Sequence, residues 1–357
     1  MASTTPFIEW FSDISMRDRP VVGGKGASLG ELTREQIRVP PGFVVTTAGF
    51  REFLAEVDPD GAICRDIEAL DAADLQGIAS TTRRIRSLIE DAKVTDGIIL
   101  AIADNYGKLC GGDADLPVAV RSSATSEDSE EASFAGLQDT LLWVFGAESI
   151  VHAVRKCWAS LYNPESVGYR RRLKLPEQDI AMAVVVQRMV DSLYSGVMFT
   201  RSPTTGDRSV VAIEGSWGLG SCIVSGEVTP DKYIVNKVTG EINKRFVSVK
   251  TLQHRPDMQA GGIIDEAVPE DRQSLPCIDD AAIHELVRIA KQVERHYGSP
   301  QDIEWAIEHN GTFPGNIYLL QSRPETVWAG KDREAKPLAA PKAKAFDHVI
   351  SLLGGKK

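Results

Sequence analysis

The 357-residue sequence is poor in cysteine, and its cysteines form no recognisable paired motif. Five occur, widely spaced and never as C-x-x-C, which excludes the usual zinc and disulfide patterns. The start of the chain lacks the apolar core of a secretory signal. The longest apolar run, residues 180–186, falls far short of the roughly 20 residues that cross a bilayer. These absences predict a cytoplasmic protein without membrane contact.

A basic region and the common catalytic motifs are also missing. The formal net charge is −10, and no dense lysine or arginine run occurs in the body of the chain, which argues against a nucleic-acid partner. The serine-hydrolase elbow, the H-E-x-x-H helix and the Walker A loop are absent. None of the six histidines lies in a loop rich in Gly, Ser and Thr that suits an exposed nucleophile. Any bound phosphate must therefore be held by a few local cations.

The composition that remains is that of a globular protein with more than one lobe. Hydrophobic residues make up 43% and charged residues 25% of the chain, which are ordinary values, and the length exceeds one ordinary core. Helical spacing marks residues 48–108, 149–172 and 280–296. Strand patterns cluster in the second half of the chain. The alternation predicts an α+β fold with a β-rich second lobe.

Two carboxylates share one face of a predicted strand late in the chain. Asp302 and Glu304 alternate with apolar residues, so both point the same way. In the next predicted strand, the same alternation places Gln321 beside Arg323. If the strands pair, oxygen ligands that suit Mg²⁺ gather next to one guanidinium. The alternative is a solvated sheet face without metal.

Two cations precede predicted loops. Lys25 lies in the Gly-Gly-Lys-Gly sequence at 23–26, ahead of a helix whose positive start favours an anion; an exposed turn is the alternative. Arg121 ends a short strand and offers a planar fork of donors that matches phosphate, unless it only closes the strand by a surface salt bridge. Acidic residues at 127–131 would repel phosphate unless they face away.

Three further segments are weaker candidates for ligand contact. Glu214 begins a Gly-rich loop after a strand, which permits close approach to a nucleotide. Residues 187–190 leave a buried strand, so their backbone edge is a candidate for reading an adenine, although such segments also simply join lobes. A turn at 133–136 is a third candidate for a backbone contact.

Taken in order, these motifs resemble the nucleotide-binding region of the phosphoenolpyruvate synthase and pyruvate phosphate dikinase family, which includes rifampicin phosphotransferase. The resemblance covers the chain up to about Trp328. The motifs that carry it lie at residues 22–25, 27–30, 41–46, 120–128, 133–136, 218–220, 230–231, 301–305 and 320–324.

The resemblance implies a two-lobed ATP-grasp fold of the pyruvate phosphate dikinase N-terminal type, with ATP and Mg²⁺ between the lobes. The first lobe would span residues 1–190, the second 191–328, and a tether with a possible docking helix 329–357. Position by position, it implies phosphate binding and catalysis by Lys25, Arg121 and Arg323, magnesium binding by Glu304 and Gln321, nucleotide contacts by Asp302 and Glu214, and an adenine-facing segment containing Gln187, Met189 and Val190.

Members of this family transfer the β-phosphoryl group of ATP to a histidine on a separate domain, and no such histidine loop is found here. The expectation is therefore the ATP-binding subunit of a split phosphotransferase, similar in design to phenylphosphate synthase. A partner subunit would carry the histidine and pass the phosphoryl group to phenol. The alternatives are an antibiotic-directed or pyruvate-directed enzyme and an ATP-sensing module without catalysis.

Overall fold

The computed structural model describes residues 6–112, 116–125 and 139–334. The helices are α1 (Arg19–Arg34), α2 (Thr47–Val57), α3 (Ala62–Glu68), α4 (Leu75–Asp91), α5 (Asp96–Cys110), α6 (Ala147–Ser160), α7 (Pro164–Leu173), α8 (Ser221–Val224), α9 (Glu270–Gln273), α10 (Asp280–Tyr297) and α11 (Val327–Glu334). The strands are β1 (Ile8–Trp10), β2 (Gly42–Val45), β3 (Val118–Ala124), β4 (Thr140–Val144), β5 (Met182–Arg188), β6 (Ser192–Phe199), β7 (Val210–Trp217), β8 (Asp231–Asn236), β9 (Ile242–Phe246), β10 (Leu252–Pro256), β11 (Ile263–Ala267), β12 (Gln301–Glu308) and β13 (Ile317–Pro324).

Several predictions concern residues that the structure does not describe. The turn predicted at 133–136, the acidic residues at 127–131 and the tail from 335 to 357 lie outside the described residues. Residue 329, the predicted start of the tether, lies inside α11, which continues to Glu334. Among the described residues, none of the helices combines the length and apolar composition that crossing a membrane requires.

The first half of the described chain forms a five-stranded antiparallel sheet in the order β1-β2-β5-β3-β4. The helices predicted within residues 48–108 are confirmed as α2 to α5. Trp158 of α6 is fully buried and stacks on Phe53 with ring centroids 4.8 Å apart. The helix predicted over 149–172 is two helices, because Pro164 begins α7 and cannot continue the hydrogen bonds of α6.

The second half forms a six-stranded antiparallel sheet in the order β13-β12-β6-β7-β8-β9. Helix α10 packs its apolar face against this sheet; it begins at Asp279, whose side chain accepts from the Ala282 backbone N–H, and ends at Gly298 with a positive φ of 67°. Such capping satisfies amides and carbonyls that the helix leaves unpaired. The sequence around Thr239 and Gly240 is typical of a hairpin turn, and the strands on either side of it, β8 and β9, do pair.

Helix α1 lies against both sheets. At its kink, Gly23 has a φ of 71°, and an added Cβ would lie 1.9 Å from the Ser123 carbonyl oxygen of β3. Further along, the Ser28 hydroxyl donates to the Ser322 carbonyl of β13 at 2.7 Å. Leu32 is buried in the core beneath the six-stranded sheet. Helix α1 therefore ties the two sheets together and fixes their approach.

A small hairpin, β10–β11, contacts both halves of the described chain. It joins the second half through a bridge between Leu219 and His254. At its tip, the Gly262 backbone N–H donates to the Trp143 carbonyl at the end of β4, at 3.1 Å. The hairpin tip is thus hydrogen-bonded to the five-stranded sheet.

Candidate functional site

A cavity of about 960 Å³ lies between the two sheets and the β10–β11 hairpin. Its volume is at the upper end of the range that small-ligand sites occupy. The five-stranded sheet contributes β3, β4 and the end of β5, and the six-stranded sheet contributes β6, β12 and β13. Residues from α6, α8 and the hairpin tip close the remaining sides. The cavity is therefore built by segments that are far apart in the sequence.

The two strands on which the predicted magnesium site depends do pair. Strands β12 and β13 are antiparallel neighbours, with Asp302 opposite Arg323 and Glu304 opposite Gln321. Residues directly opposite each other project to the same face, and the Arg323 Nε lies 3.4 Å from Asp302 Oδ2. The two carboxylates, the amide and the guanidinium thus form one polar patch, of which Glu304 lines the cavity.

Arg121 on β3 reaches across the cavity to this patch. Its Nη1 donates to the Leu320 carbonyl at 2.8 Å, and its Nη2 lies 3.2 Å from Glu304 Oε2. The same Nη2 donates to Gln321 Oε1. The side chain is only 8% exposed, so this buried charge depends on the opposite sheet for its partners. The structure thus brings together Arg121, Glu304 and Gln321, which the family resemblance assigns to one site.

The patch presents a donor set that fits a hard divalent cation. The oxygens of Glu304 and Gln321 converge on one atom, the Nη2 of Arg121, so they are placed to meet on a single positive centre. Carboxylate and amide oxygens are the ligands that Mg²⁺ accepts. The residues of the predicted magnesium site therefore fit that ion by their chemistry and by their convergence.

Lys25 lies inside α1, two residues after the kink at Gly23, whereas the sequence pattern predicts it ahead of a helix. Its side chain is buried, with 9% exposure, and it does not line the cavity. The neighbouring Gly26 N–H donates to Ser123 Oγ at 3.1 Å, two residues from Arg121 on β3. The Gly-rich segment thus serves first as a close packing surface, and one amide predicted for anion binding is used within the fold.

The predicted adenine-facing segment lines the cavity. Gln187, Met189 and Val190 all border it, and the Gln187 side chain is held by a 3.3 Å bond to the Pro40 carbonyl. The Met189 N–H is taken by the Pro117 carbonyl at 2.9 Å. This segment supplies a mainly apolar wall at the junction of the two sheets.

Glu214, like Lys25, does not line the cavity. On β7 it stands opposite Val197, which in turn stands opposite Glu304. Opposed residues share a face, so Glu214 lies in the same row as Glu304, two strands away, or about 10 Å by strand spacing. Its carboxylate instead pairs with Lys232 at 2.8 Å.

Sequence reasoning missed the wall formed by β4 and α6. His152 and Lys156 line the cavity one helical turn apart, a spacing that places them on one helix face. Partial burial lowers the pKa of His152, and the positive charges of Lys156 and Arg155 lower it further. The lowered pKa favours the neutral form of His152, which faces the cavity beside the Lys156 side chain. Their i,i+4 spacing was the available signal, but nothing local indicated that this face borders a site.

Comparisons with known proteins agree with the resemblance seen in the motifs. The chain matches the family described as pyruvate phosphate dikinase, AMP/ATP-binding domain, over residues 19–344. A probable phosphoenolpyruvate synthase of Methanocaldococcus jannaschii is 41% identical over 332 residues, which cover 92% of this chain and 27% of that protein. The phosphoenolpyruvate synthase of Aeropyrum pernix is 40% identical over 357 residues, which cover 92% of this chain and 43% of that protein.

The chain spans less than half the length of these relatives. Among solved structures, the ADP complex of N5-carboxyaminoimidazole ribonucleotide synthetase aligns with 72% of this chain and 58% of its own, at 10% identity and a TM-score of 0.23. A score that low carries no argument about the fold or the site.

Proposed function

Because the chain belongs to the family of pyruvate phosphate dikinase AMP/ATP-binding domains, we propose that it binds ATP and Mg²⁺ in the cavity between its sheets and starts a phosphoryl transfer to a histidine. Its fold is the ATP-grasp-type α+β fold of that family. The two sheets are the two lobes of the proposed clamp, with a lobe boundary near residue 190 and the second lobe extending to residue 328.

The observation that carries the proposal is the contact of Arg121 with both Glu304 and Gln321. A phosphate-binding cation from one sheet and two oxygen ligands from the other meet within hydrogen-bonding distance. Phosphoryl transfer is catalysed mainly by alignment and charge placement, and this arrangement supplies both signs of charge at one place. Arg121 lies in the family motif at 120–128, and its partners lie in the motifs at 301–305 and 320–324. A contact between family motifs supports a nucleotide site over an unrelated polar contact.

The charges of the site suit a metal-bound nucleotide. Lys25, Arg121 and Arg323 are positive, and Asp302 and Glu304 are negative, so three cations against two carboxylates leave one net positive charge. That single charge does not balance a polyphosphate, and bound Mg²⁺, held by Glu304 and Gln321, would neutralise phosphate oxygens as they develop charge.

Each side chain then has a defined task. Arg121 turns its guanidinium from the two oxygens to the polyphosphate, whose oxygens match its fork of donors. Arg323, held by Asp302, orients the same phosphates from β13. Lys25 adds a charge from α1 after a local adjustment of its side chain. Gln187, Met189 and Val190 contact the adenine.

In this proposal the histidine that accepts the phosphoryl group is not one of the six in the sequence. Its imidazole nitrogen attacks the β-phosphorus of ATP, the bond to the α-phosphate oxygen breaks, and AMP leaves; water takes up the γ-phosphoryl group to give phosphate. Phosphoenolpyruvate synthases are the relatives found, so pyruvate is the proposed final acceptor. In those relatives the matched region is part of a longer polypeptide. The comparisons therefore give no specific support to a separate histidine-bearing subunit or to phenol, which stay predictions.

The experiment uses ATP labelled at the β-phosphate and Mg²⁺, with the chain alone and with histidine-bearing regions of the family added. The proposal expects label on a histidine together with one AMP for each transfer, followed by discharge to pyruvate. Discharge to phenol would support the phenylphosphate prediction instead. Tight ATP binding with no transfer to any histidine would contradict the enzymatic proposal and favour an ATP sensor.

A further inference from the structure

A second polar cluster lies behind the cavity wall and plays no part in the proposed transfer. It consists of His254 on β10, Asp265 on β11 and Glu227 in the turn after α8. One ligand atom from each of these residues lies within 4.8 Å of the other two. This cluster is called the hairpin cluster below.

The centre of the hairpin cluster is a buried imidazole with a fixed orientation. His254 is 4% exposed, and its Nδ1 lies 2.7 Å from the hydroxyl of Ser221. Its carbonyl accepts from the Leu219 N–H at 3.0 Å, which holds the strand in place. Because both the backbone and Nδ1 are engaged, the Nε2 atom has one direction in which to point.

That direction is occupied by two carboxylates. Nε2 lies 3.1 Å from Glu227 Oε2 and 3.3 Å from Asp265 Oδ1. A ring nitrogen carries at most one hydrogen, so a proton on Nε2 serves one carboxylate well and leaves the other uncompensated. In the described part of the chain, neither carboxylate has a lysine or arginine as an ion-pair partner. Two carboxylates therefore face one ring nitrogen, and the cluster keeps an excess of negative charge even when the imidazole is protonated.

The separations are those of ligands around a small metal ion. For metal–ligand bonds of about 2.0–2.1 Å, the edges of a tetrahedron are about 3.3 Å, close to the two distances from Nε2. A histidine ligand usually engages its second ring nitrogen with an oxygen that fixes the ring, and Ser221 is in that position. We infer that His254, Glu227 and Asp265 bind a divalent transition-metal ion, for which Zn²⁺ is the best match.

The donor set separates this ion from the magnesium of the proposed nucleotide site. One imidazole with two carboxylates suits Zn²⁺ and its neighbours in the first transition row, whereas Mg²⁺ prefers oxygen alone. Glu227 is 45% and Asp265 71% exposed in their side chains. Solvent therefore reaches the remaining coordination position, and both carboxylates can adjust to the ion.

The bound ion would fix the hairpin to the body of the second half. Its ligands come from both strands of the hairpin and from the turn after α8, so the ion would add a link between the hairpin and the body of the second half, which the Leu219–His254 bridge already joins. The tip of that hairpin, residues 260–263, lines the cavity. Metal binding thus stabilises one wall of the nucleotide site without touching the nucleotide.

The chain contains a matched control. Glu31, Glu35 and His296 have a similar composition and also lie close together. There, however, Glu31 lies 2.9 Å from Nε2 and Glu35 3.4 Å from Nδ1. The two carboxylates approach opposite nitrogens of the ring, so one ion on either nitrogen leaves the other carboxylate across the ring. This second cluster is expected not to bind the ion.

The test is calorimetric titration of the chelator-treated full chain with Zn²⁺ in the absence of nucleotide. One equivalent should bind, and Zn²⁺ should raise the melting temperature, because a ligand that binds only the folded state stabilises it. H254Q should remove binding, and D265N should weaken it by at least about tenfold. H296Q should leave it unchanged, and E304Q should too, because the nucleotide patch is not the site.

A Co²⁺-loaded sample gives a spectroscopic check, since four-coordinate Co²⁺ absorbs visible light strongly and the band should vanish in D265N. Asp265 is exposed, so this variant remains informative even if H254Q fails to fold. Absence of stoichiometric Zn²⁺ binding in the unsubstituted chain would overturn the inference. Equal binding by D265N, or loss of binding in H296Q or E304Q, would also overturn it, because the ion would then lie elsewhere.

Discussion

The two sides of the proposed nucleotide site hold their charged side chains in different ways. The six-stranded sheet presents Glu304 and Asp302 from a strand face, with 36% and 20% of their side chains exposed. On the other side, Arg121 and Lys25 are less than one-tenth exposed. The two carboxylates are therefore positioned by strand alternation, and Arg121 and Lys25 by burial.

This difference separates chemistry from packing. The half-buried carboxylates on the strand face are expected to contribute charge more than packing, so the loss of one should leave the fold intact. A buried cation, and the glycines that let α1 approach β3, are part of the contact between the sheets, so changes there disturb structure and function together. The comparison fails if substitutions on the two sides have the same consequences.

The largest effect is expected on the carboxylate side. Glu304→Ala should lower Mg²⁺-dependent cleavage of ATP to AMP by about 10²–10³-fold or more, because a group that places charge at the reacting phosphates is lost. Arg121 keeps the Leu320 carbonyl and the Gln321 amide oxygen as hydrogen-bond partners in this variant, so the melting temperature should change little. Turnover is measured with a histidine-bearing region of the family present.

Glu241→Ala is the control for this prediction, since Glu241 is exposed between β8 and β9 and outside the cavity lining. It should leave turnover unchanged. Full activity in Glu304→Ala would remove Glu304 from the metal site, and unfolding of that variant would show that the carboxylate side is structural as well.

The next effect is on the side of the buried cations. Gly23→Ala places a Cβ 1.9 Å from the Ser123 carbonyl oxygen at a φ of 71°, so α1 must move away from β3. Strain and overpacking together should cost about 2–4 kcal/mol of unfolding free energy. ATP affinity should fall as well, because Arg121 lies two residues from the contact.

Gly107→Ala makes the same change where the structure has room. No described atom outside the local chain lies within 4 Å of its added Cβ, in the interior of α5, so better helix propensity should raise stability by up to about 1 kcal/mol. Urea denaturation measures both variants. Similar stability changes in the two would mean that the approach of α1 to β3 is not tight.

The same difference explains what the sequence could predict. Alternation within residues 301–305 was enough to place Asp302 and Glu304 on one face, because strand geometry is local. The partners of Arg121 are 183 to 200 residues away, and no local pattern identifies them; the family resemblance supplied that link. The wall from α6 was missed because many helices carry two polar residues on one face. Only the tertiary structure shows that this face of α6 borders the cavity.

The fold shows the same limit. Residues 43–47 carry a strand pattern, and β2 does occupy Gly42–Val45, but Thr47 already begins α2. Likewise the helix pattern around residue 162 continues through a break that Pro164 imposes. Element type follows from periodicity, whereas its ends depend on contacts and on single residues.

The smallest effect is expected for the ion pair of Glu214, which lies on the same face of the six-stranded sheet as Glu304. Lys232 pairs with Glu214 at 2.8 Å, as Arg121 pairs with Glu304, but the Lys232 side chain is 49% exposed. An ion pair with that exposure gives little stability, so Lys232→Ala should change the unfolding free energy by no more than about 0.5 kcal/mol. Urea denaturation, with Lys232→Gln as the control for side-chain packing, measures the change.

ATP titration of the same variant decides the role of Glu214. Its carboxylate would lose its partner and stay solvated, about 10 Å from Glu304 by strand spacing, so ATP affinity should change less than about threefold if Glu214 is remote from the phosphates. A tenfold change would bring Glu214 into the nucleotide site, as the sequence predicts. It would also show that an exposed pair matters as much as the buried one, and the contrast between the two sides of the cavity would then not rest on burial.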